Sequence, residues 1–199
     1  MPAPELTLLQ RGLVPAIKFN DQIITDSGVV ARFLADAYPS HLVPNTGSAD
    51  AALKRARINF FVDTWFDKVG SYWLQIIRAD DETKKAELVK EFLEKLGKEI
   101  EPLLKDAKPF FGGSSKVTLA EVLTAPFILR VYSFSKHGLL PKSVVEGLEA
   151  LPNFNKWAQA LIREESVTYI WNEAEVIPAT KKKVESMKAA AAAAAAAAK

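Results

Sequence analysis

Short apolar runs separated by turn residues mark the N-terminal part of the chain and predict β-strands there. Residues 13–19 and 22–25 are rich in β-branched side chains, and the Asn-Asp pair between them favours a tight hairpin turn. Apolar side chains then recur at helical spacing over residues 29–37, up to a Tyr-Pro pair that ends the predicted helix. Residues 4–10 predict a short helical segment ahead of the strands.

Beyond this part the hydrophobic pattern has only the helical period. Residues 49–78 and 81–106 predict two long helices, and residues 119–134 are apolar on nearly every side, as expected of a buried central helix. Residues 152–164 open on a Pro and predict a shorter helix. The fold class that follows is mainly α, with two strands and one helix at the N-terminus.

We expect two domains and a tail. A linker punctuated by Pro and Gly follows the first helix, so residues 1–40 hold the strands and residues 41–180 form an all-helical domain. Residues 181–199 include ten consecutive Ala. We expect this tail to be disordered or loosely helical, because Ala side chains offer little surface to pack.

Charge and composition then narrow the function classes. Five of the 26 basic residues but only one of the 24 acidic residues lie in 181–199, which leaves a body of 21 basic and 23 acidic residues. Such a body has no basic face for nucleic acid. The chain has no Cys and only two distant His, so we expect no metal site. Outside the Ala tract no apolar stretch is long enough for a bilayer, and we expect a cytoplasmic protein with no membrane partner.

The start of the first helix is a candidate anion-binding site. The first N–H groups of a helix have no partners inside it, and Asp26-Ser27 places a hydroxyl beside them. Asp and Ser are also good helix caps, so a purely structural capping role is the alternative.

A second helix start is predicted by the sequence VTLAEV at residues 117–122. The Thr118 hydroxyl can accept from a helix N–H, and the Glu121 carboxylate can reach back to the Thr118 amide. This reciprocal arrangement is a capping box, and we interpret both residues as structural.

Aromatic side chains recur at helical spacing within residues 49–78, and two interpretations are open. They pack in the core or an interface, or some of them line a pocket for an apolar molecule. Phe61, Trp65 and Trp73 are the candidates for such a pocket, and Trp171 near the C-terminus is a candidate to close it.

Together these features resemble the glutathione transferase superfamily, in particular its omega-like, fungal-type branch. The resemblance rests on RGLVPAI at 11–17, Asp26-Ser27, ARFLADAYP at 31–39, and Phe110-Phe111-Gly112-Gly113 before the capping box. It implies a partial thioredoxin-like α/β domain followed by the all-helical C-terminal domain of that family.

The resemblance also implies a ligand and its contacts. In the family, the Val of a cis Val-Pro pair bonds the cysteinyl part of glutathione, and a Ser at a helix start receives the γ-glutamyl carboxylate. We therefore expect Val14, Pro15, Asp26 and Ser27 to contact glutathione as a co-substrate. The resemblance further implies a small apolar electrophile as second substrate, and a homodimer.

No catalytic residue can be carried over from the family. Its activating hydroxyl or Cys follows the first strand of the thioredoxin-like domain, and the resemblance here begins after that strand. Two functions stay open: conjugation of glutathione to a small apolar electrophile, or a non-catalytic dimerisation and docking module. For the first, we expect the catalytic segment to lie upstream of this sequence.

Overall fold

The computed structural model describes residues 5–6 and 15–197, and it begins with a small antiparallel sheet. Strand β1 (Glu5–Leu6) pairs with β2 (Ala16–Phe19), which pairs with β3 (Gln22–Thr25). The predicted helical segment at residues 4–10 is wrong where the structure describes it, because β1 is a strand.

The predicted hairpin between β2 and β3 is confirmed. Asn20 and Asp21 both have positive φ, 46° and 62°, and Phe19 pairs with Gln22 across the turn. Two central residues of positive φ match the right-handed twist of the strands that they join. Asn and Asp tolerate this conformation better than most residues, which is why the pair predicts the turn.

Nine α-helices follow among the described residues. They are α1 (Ser27–Ala37), α2 (Ala49–Lys68), α3 (Tyr72–Arg78), α4 (Glu82–Lys95), α5 (Leu119–Lys136), α6 (Lys142–Glu149), α7 (Pro152–Leu161), α8 (Glu165–Thr168) and α9 (Glu173–Ala197). A π-helical turn (Leu96–Ile100) and a 3-10 turn (Glu101–Leu104) continue α4.

Two of the helices predicted from the sequence are each interrupted in the structure. The helix expected at residues 49–78 is broken between α2 and α3, where the Gly70 amide donates to the Trp65 carbonyl at 2.8 Å. A Cβ at Gly70 would lie 3.3 Å from that carbonyl oxygen, so the chain turns where a side chain would be crowded. The helix expected at residues 81–106 changes its hydrogen-bond pattern before Pro102, which has no N–H to donate.

The sequence pattern missed α6 and α8 altogether. It also treated residues 181–199 as a separate tail, whereas residues 181–197 continue α9 without a break. The described part of the Ala tract is helical, as its high propensity allows.

The core is an aromatic cluster between α2, α7 and the loop before α5. The Phe61 ring lies 4.7 Å from that of Phe111 and 5.6 Å from that of Trp157. The Trp65 ring stacks on Phe154 at 6.4 Å. All of these side chains are buried, so the cluster fixes α2 against α7.

Glu121 lies at the edge of this cluster, fully buried in the first turn of α5. Its Oε1 accepts from the Phe111 amide at 2.8 Å and from the Trp157 indole N–H at 2.7 Å. Its Oε2 accepts from the amide and the hydroxyl of Thr118, both at 2.7 Å. The Thr118 hydroxyl in turn accepts from the Ala120 amide at 3.2 Å, so the predicted capping box is present.

Helix α1 is held against α2 by two ion pairs. The Arg32 guanidinium donates to Asp63 at 2.6 Å, and Arg55 donates to Asp36 and to the Pro44 carbonyl. Exposed ion pairs stabilise a fold weakly, and α1 also packs against α5. The N-terminus of α1 therefore has a fixed place beside the helical part of the chain.

We predict that Glu121→Ala lowers the free energy of unfolding by about 3–5 kcal/mol, because three buried N–H groups lose their acceptor. Glu121→Gln keeps the volume but turns an NH₂ group toward the Thr118 amide, so we expect it to destabilise the fold as well. Val122→Ala, on the exposed neighbour, is the control and should change stability little. Urea unfolding measures all three, and a near-neutral Glu121→Gln would contradict the role of the hydrogen bonds.

Candidate functional site

Asp26 caps the N-terminus of α1 directly after β3. Its Oδ1 accepts from the amides of Gly28 at 2.9 Å and Val29 at 3.2 Å, and its carbonyl accepts from Val30 at 2.8 Å. Asp26 thus satisfies N–H groups that the helix leaves without internal partners. Asp26 therefore acts as the helix cap, as the structural alternative predicts, and Ser27 is the first residue of α1.

Ser27 is exposed and is not used by the fold. None of the hydrogen bonds found in the described part of the chain involves its hydroxyl or its amide. Both groups are donors at the positive end of a helix, which suits a carboxylate. Asp26, beside them, is exposed and carries an acceptor for an ammonium group.

The backbone of Asp26 has an unusual conformation, with φ 76° and ψ 128°. For a residue other than Gly this costs about 1–3 kcal/mol and is frequent at functional sites. The conformation lets the chain pass from β3 to α1 across a single residue. Ser27 thereby follows β3 directly and is exposed in the described part of the chain.

The strand register brings a third predicted residue to the same edge. Ala16 pairs with Thr25, so Pro15 before β2 and Asp26 after β3 lie at the same end of the hairpin. Pro15 is partly buried. Val14 lies outside the described residues, and its peptide bond to Pro15 and its contact with a ligand stay predictions.

Two of the four aromatic candidates belong to the core. Phe61 and Trp65 are 0% and 1% exposed, so neither offers a face to a second substrate. Their position agrees with the packing interpretation of the aromatic stripe.

Trp73 and Trp171 lie on either side of one cation. The Arg130 Cζ is 5.9 Å from the Trp73 ring centroid and 5.8 Å from that of Trp171, and Arg130 donates to the Pro126 carbonyl at 2.7 Å. Burial lowers the pKa of the Arg130 guanidinium. The two indoles therefore fasten the segment before α9 onto α5 and α3.

One aromatic pair that the sequence pattern did not select joins α2 to α5 and is partly exposed. The Phe66 ring meets Phe127 edge-on, with centroids 5.3 Å apart, and Phe66 is 43% exposed. Asp63, three residues before Phe66 on α2, pairs with Arg32 on α1. Because residues three apart are neighbours on a helix surface, Phe66 lies next to Asp63 on α2.

The sequence itself distinguishes Phe66 from the aromatic residues of the core. The core side of α2 is formed by Ile58, Phe61, Val62 and Trp65. Phe66 lies about 100–140° away from Phe61 and Trp65 but only about 40° from Val62, so it lies at the border of the buried face. An aromatic residue at this border is the one to expect at a binding surface.

The segment that carries Trp171 is also held by Glu173, the first residue of α9. Its Oε2 lies 2.9 Å from His137 Nε2 and 2.9 Å from the Lys136 ammonium, both at the end of α5. The hydrogen bond from His137, followed by that from Lys136, lowers the pKa of Glu173 from 4.5 to about 2.

Within residues 5–6 and 15–197, no group of three or more His, Cys, Asp or Glu could hold a metal ion. In the same part of the chain, every helix is too short or too polar to cross a bilayer.

Comparison with known families matches residues 66–165, half of the chain, to the model of the glutathione S-transferase C-terminal domain. Among curated proteins, the omega-1 glutathione transferase of Caenorhabditis elegans is 26% identical over 168 residues. That match covers 83% of this chain but only 64% of the relative.

Solved structures agree in fold. A rice glutathione S-transferase in complex with glutathione superposes with a TM-score of 0.68 at 26% identity, over 90% of this chain and 77% of that one. The omega 2C glutathione transferase of Trametes versicolor gives a TM-score of 0.66 at 24% identity, over 87% and 77% of the two chains.

We predict that the Glu173 contacts stabilise the fold above pH 4.5 and lose this effect as the pH falls toward 2. The sign follows because the folded state holds the pKa of Glu173 below its ordinary value. Urea unfolding of the wild type and of Glu173→Gln should differ at pH 6 and converge near pH 2. Glu175→Gln, on the same turn of α9, is the control, and a constant difference across this range would contradict the prediction.

Proposed function

The chain belongs to the glutathione transferase superfamily, and from this membership we propose that it binds glutathione as a co-substrate for conjugation to a small apolar electrophile. The observation that carries the proposal is the free hydroxyl and amide of Ser27 beside the carboxylate of Asp26. In this proposal residues 1–40 belong to the glutathione-binding domain, and residues 41–180 form the helical domain.

The chemistry of glutathione fits this edge of the sheet. Its γ-glutamyl end carries one carboxylate and one ammonium group. The carboxylate accepts from the Ser27 hydroxyl and amide, where the helix dipole adds to the attraction. The ammonium donates to the Asp26 carboxylate, which is exposed and partly occupied by the capping bonds.

The cysteinyl part of glutathione then extends along the start of β2. Pro15 has no N–H, and the adjacent Val14 backbone is the group that pairs with the ligand in this proposal. Positioning the ligand at both ends fixes its thiol before reaction, which supplies part of the rate enhancement. The thiolate is the nucleophile, and the group that lowers its pKa is not assigned to any residue of this chain.

The second substrate binds against Phe66 and Phe127 in this proposal. The Phe66 ring on α2 meets the Phe127 ring on α5, and Phe66 is open to solvent. An apolar electrophile would cover this pair and be placed beside the bound glutathione. This assignment replaces Phe61 and Trp65 as second-substrate contacts, since both are enclosed in the core.

We also propose a cytoplasmic homodimer. Leu53 and Phe60 are 60% and 61% exposed, and they lie seven residues apart on one face of α2. Large apolar side chains at this spacing are typical of a helix that packs against another protein surface. A second copy of the chain would bury them.

We predict that Ser27→Ala weakens glutathione binding about 10- to 100-fold, because a charge-assisted hydrogen bond is lost. Thermal stability without ligand should hardly change, since the fold does not use the hydroxyl. Calorimetric titration and glutathione-dependent protection from heat measure the two effects.

The matched control is Ser48→Ala. Ser48 caps α2 by accepting from the Ala51 amide at 3.1 Å, so its loss should lower stability and leave glutathione binding unchanged. If Ser27→Ala behaves like Ser48→Ala, Ser27 is structural and the proposed contact is wrong. A folded wild type that glutathione does not protect from heat would sink the whole proposal.

We predict that Phe66→Ala raises the KM for an aryl halide electrophile about three- to tenfold, because apolar contact is removed from the bound substrate. The KM for glutathione should stay near the wild-type value. Tyr169→Ala removes an exposed ring that neither the proposed substrate site nor the proposed dimer surface uses, and it is the control. Equal effects of both variants on steady-state kinetics would exclude Phe66 as a substrate contact.

A further inference from the structure

A cleft of about 600 Å³ lies between α5, α6 and the segment from α8 to the start of α9. Leu129, Ser133 and Lys136 line it, and they follow one another on a single face of α5. Phe127 points to the opposite side of α5, because each residue turns the helix by about 100°. The cleft is therefore separate from the proposed glutathione and electrophile sites.

Tyr132, Ser133 and Ser135 line this cleft and contribute its hydroxyl groups. Ser135 is 6% exposed, and its buried Oγ has no hydrogen-bond partner in the described structure. The buried oxygens of Ser133 and Tyr132 likewise make no hydrogen bond of good geometry, although Glu173 and Gln159 lie near them. A buried polar group without a partner costs about 1–3 kcal/mol, so the unpartnered Ser135 hydroxyl requires a reason.

The rest of the inner surface is apolar. Leu129, Val145, Ile162 and Trp171 face the same space from α5, α6, the end of α7 and the segment before α9. Apolar walls with a few convergent polar groups are the usual composition of a small-molecule site, and the volume lies in the usual range.

The charges lie at the rim and carry both signs. Lys136 is paired with Glu173, while Lys142, Glu146 and Glu149 are exposed on α6. Exposed charges are screened by water and salt, so they select weakly. The buried groups are uncharged hydroxyls, and an ion placed against them would lose its hydration without gaining a counter-charge.

We propose that this cleft binds a small neutral molecule that carries a hydroxyl or carbonyl group on a compact apolar body. The polar group exchanges hydrogen bonds with the hydroxyls of Ser135, Ser133 and Tyr132. The apolar body packs against Leu129, Val145, Ile162 and the Trp171 ring. This site does not depend on glutathione binding.

Three probes of equal size test the chemical class: benzyl alcohol, benzoate and benzylammonium. Binding is measured on the full chain by fluorescence excited at the indoles, with Trp171→Phe to isolate the signal of the one indole that lines the cleft. We expect saturable binding of benzyl alcohol, and binding of the two ions about tenfold weaker or more, because each must be desolvated. A preference for either ion would overturn the assigned class.

Two variants test whether the ligand binds in this cleft. Ser135→Ala should weaken benzyl alcohol about fivefold through one lost hydrogen bond, and Val145→Phe should fill the cleft and abolish binding. Ser143→Ala, on the outward side of α6, is the control and should bind as the wild type does. Thermal unfolding shows that the variants are folded.

Three further results would overturn the proposal. If benzyl alcohol leaves the Trp171 signal unchanged, or binds Val145→Phe as well as wild type, the cleft is not the site. If Ser135→Ala binds as tightly as Ser143→Ala, the buried hydroxyl is hydrated and takes no part in recognition.

Discussion

One buried carboxylate, that of Glu121, sets the arrangement on which the other contacts depend. It accepts four hydrogen bonds from three separate parts of the chain: the loop at Phe111, the capping residue Thr118, and Trp157 on α7. A carboxylate can be buried only when its oxygens are fully bonded, so these parts must meet at one point. The aromatic cluster then packs α2 against α7, and ion pairs join α2 to α1.

Helix α5 separates two surfaces of different chemistry. Phe127 on one side meets Phe66, whereas Ser133 on the other side lines the cleft. Arg130 lies between Trp73 and Trp171 and ties the C-terminal segment to this helix. The helix is apolar on nearly every side because it packs against α1, α2, α6, α7 and α8.

Local chemistry made part of this structure predictable. The Asn-Asp turn, the cap at Asp26 and the box of Thr118 and Glu121 each depend on residues close in sequence, and each is present. The break at Gly70 and the choice between Phe61 and Phe66 depend on tertiary crowding, which the spacing of apolar residues does not encode. The third and fourth bonds of Glu121 came from Phe111 and Trp157, distant partners that no local motif names.

The positive φ of Asp26 affects which residues can replace it during evolution. Glycine would adopt the positive φ without strain and would serve nearly as well as a helix cap, so an exchange to Gly is close to neutral for folding. Selection for a stable fold alone would not retain a side chain there. Glutathione binding as proposed would be a reason to keep an acidic group at this position despite the strain in its backbone.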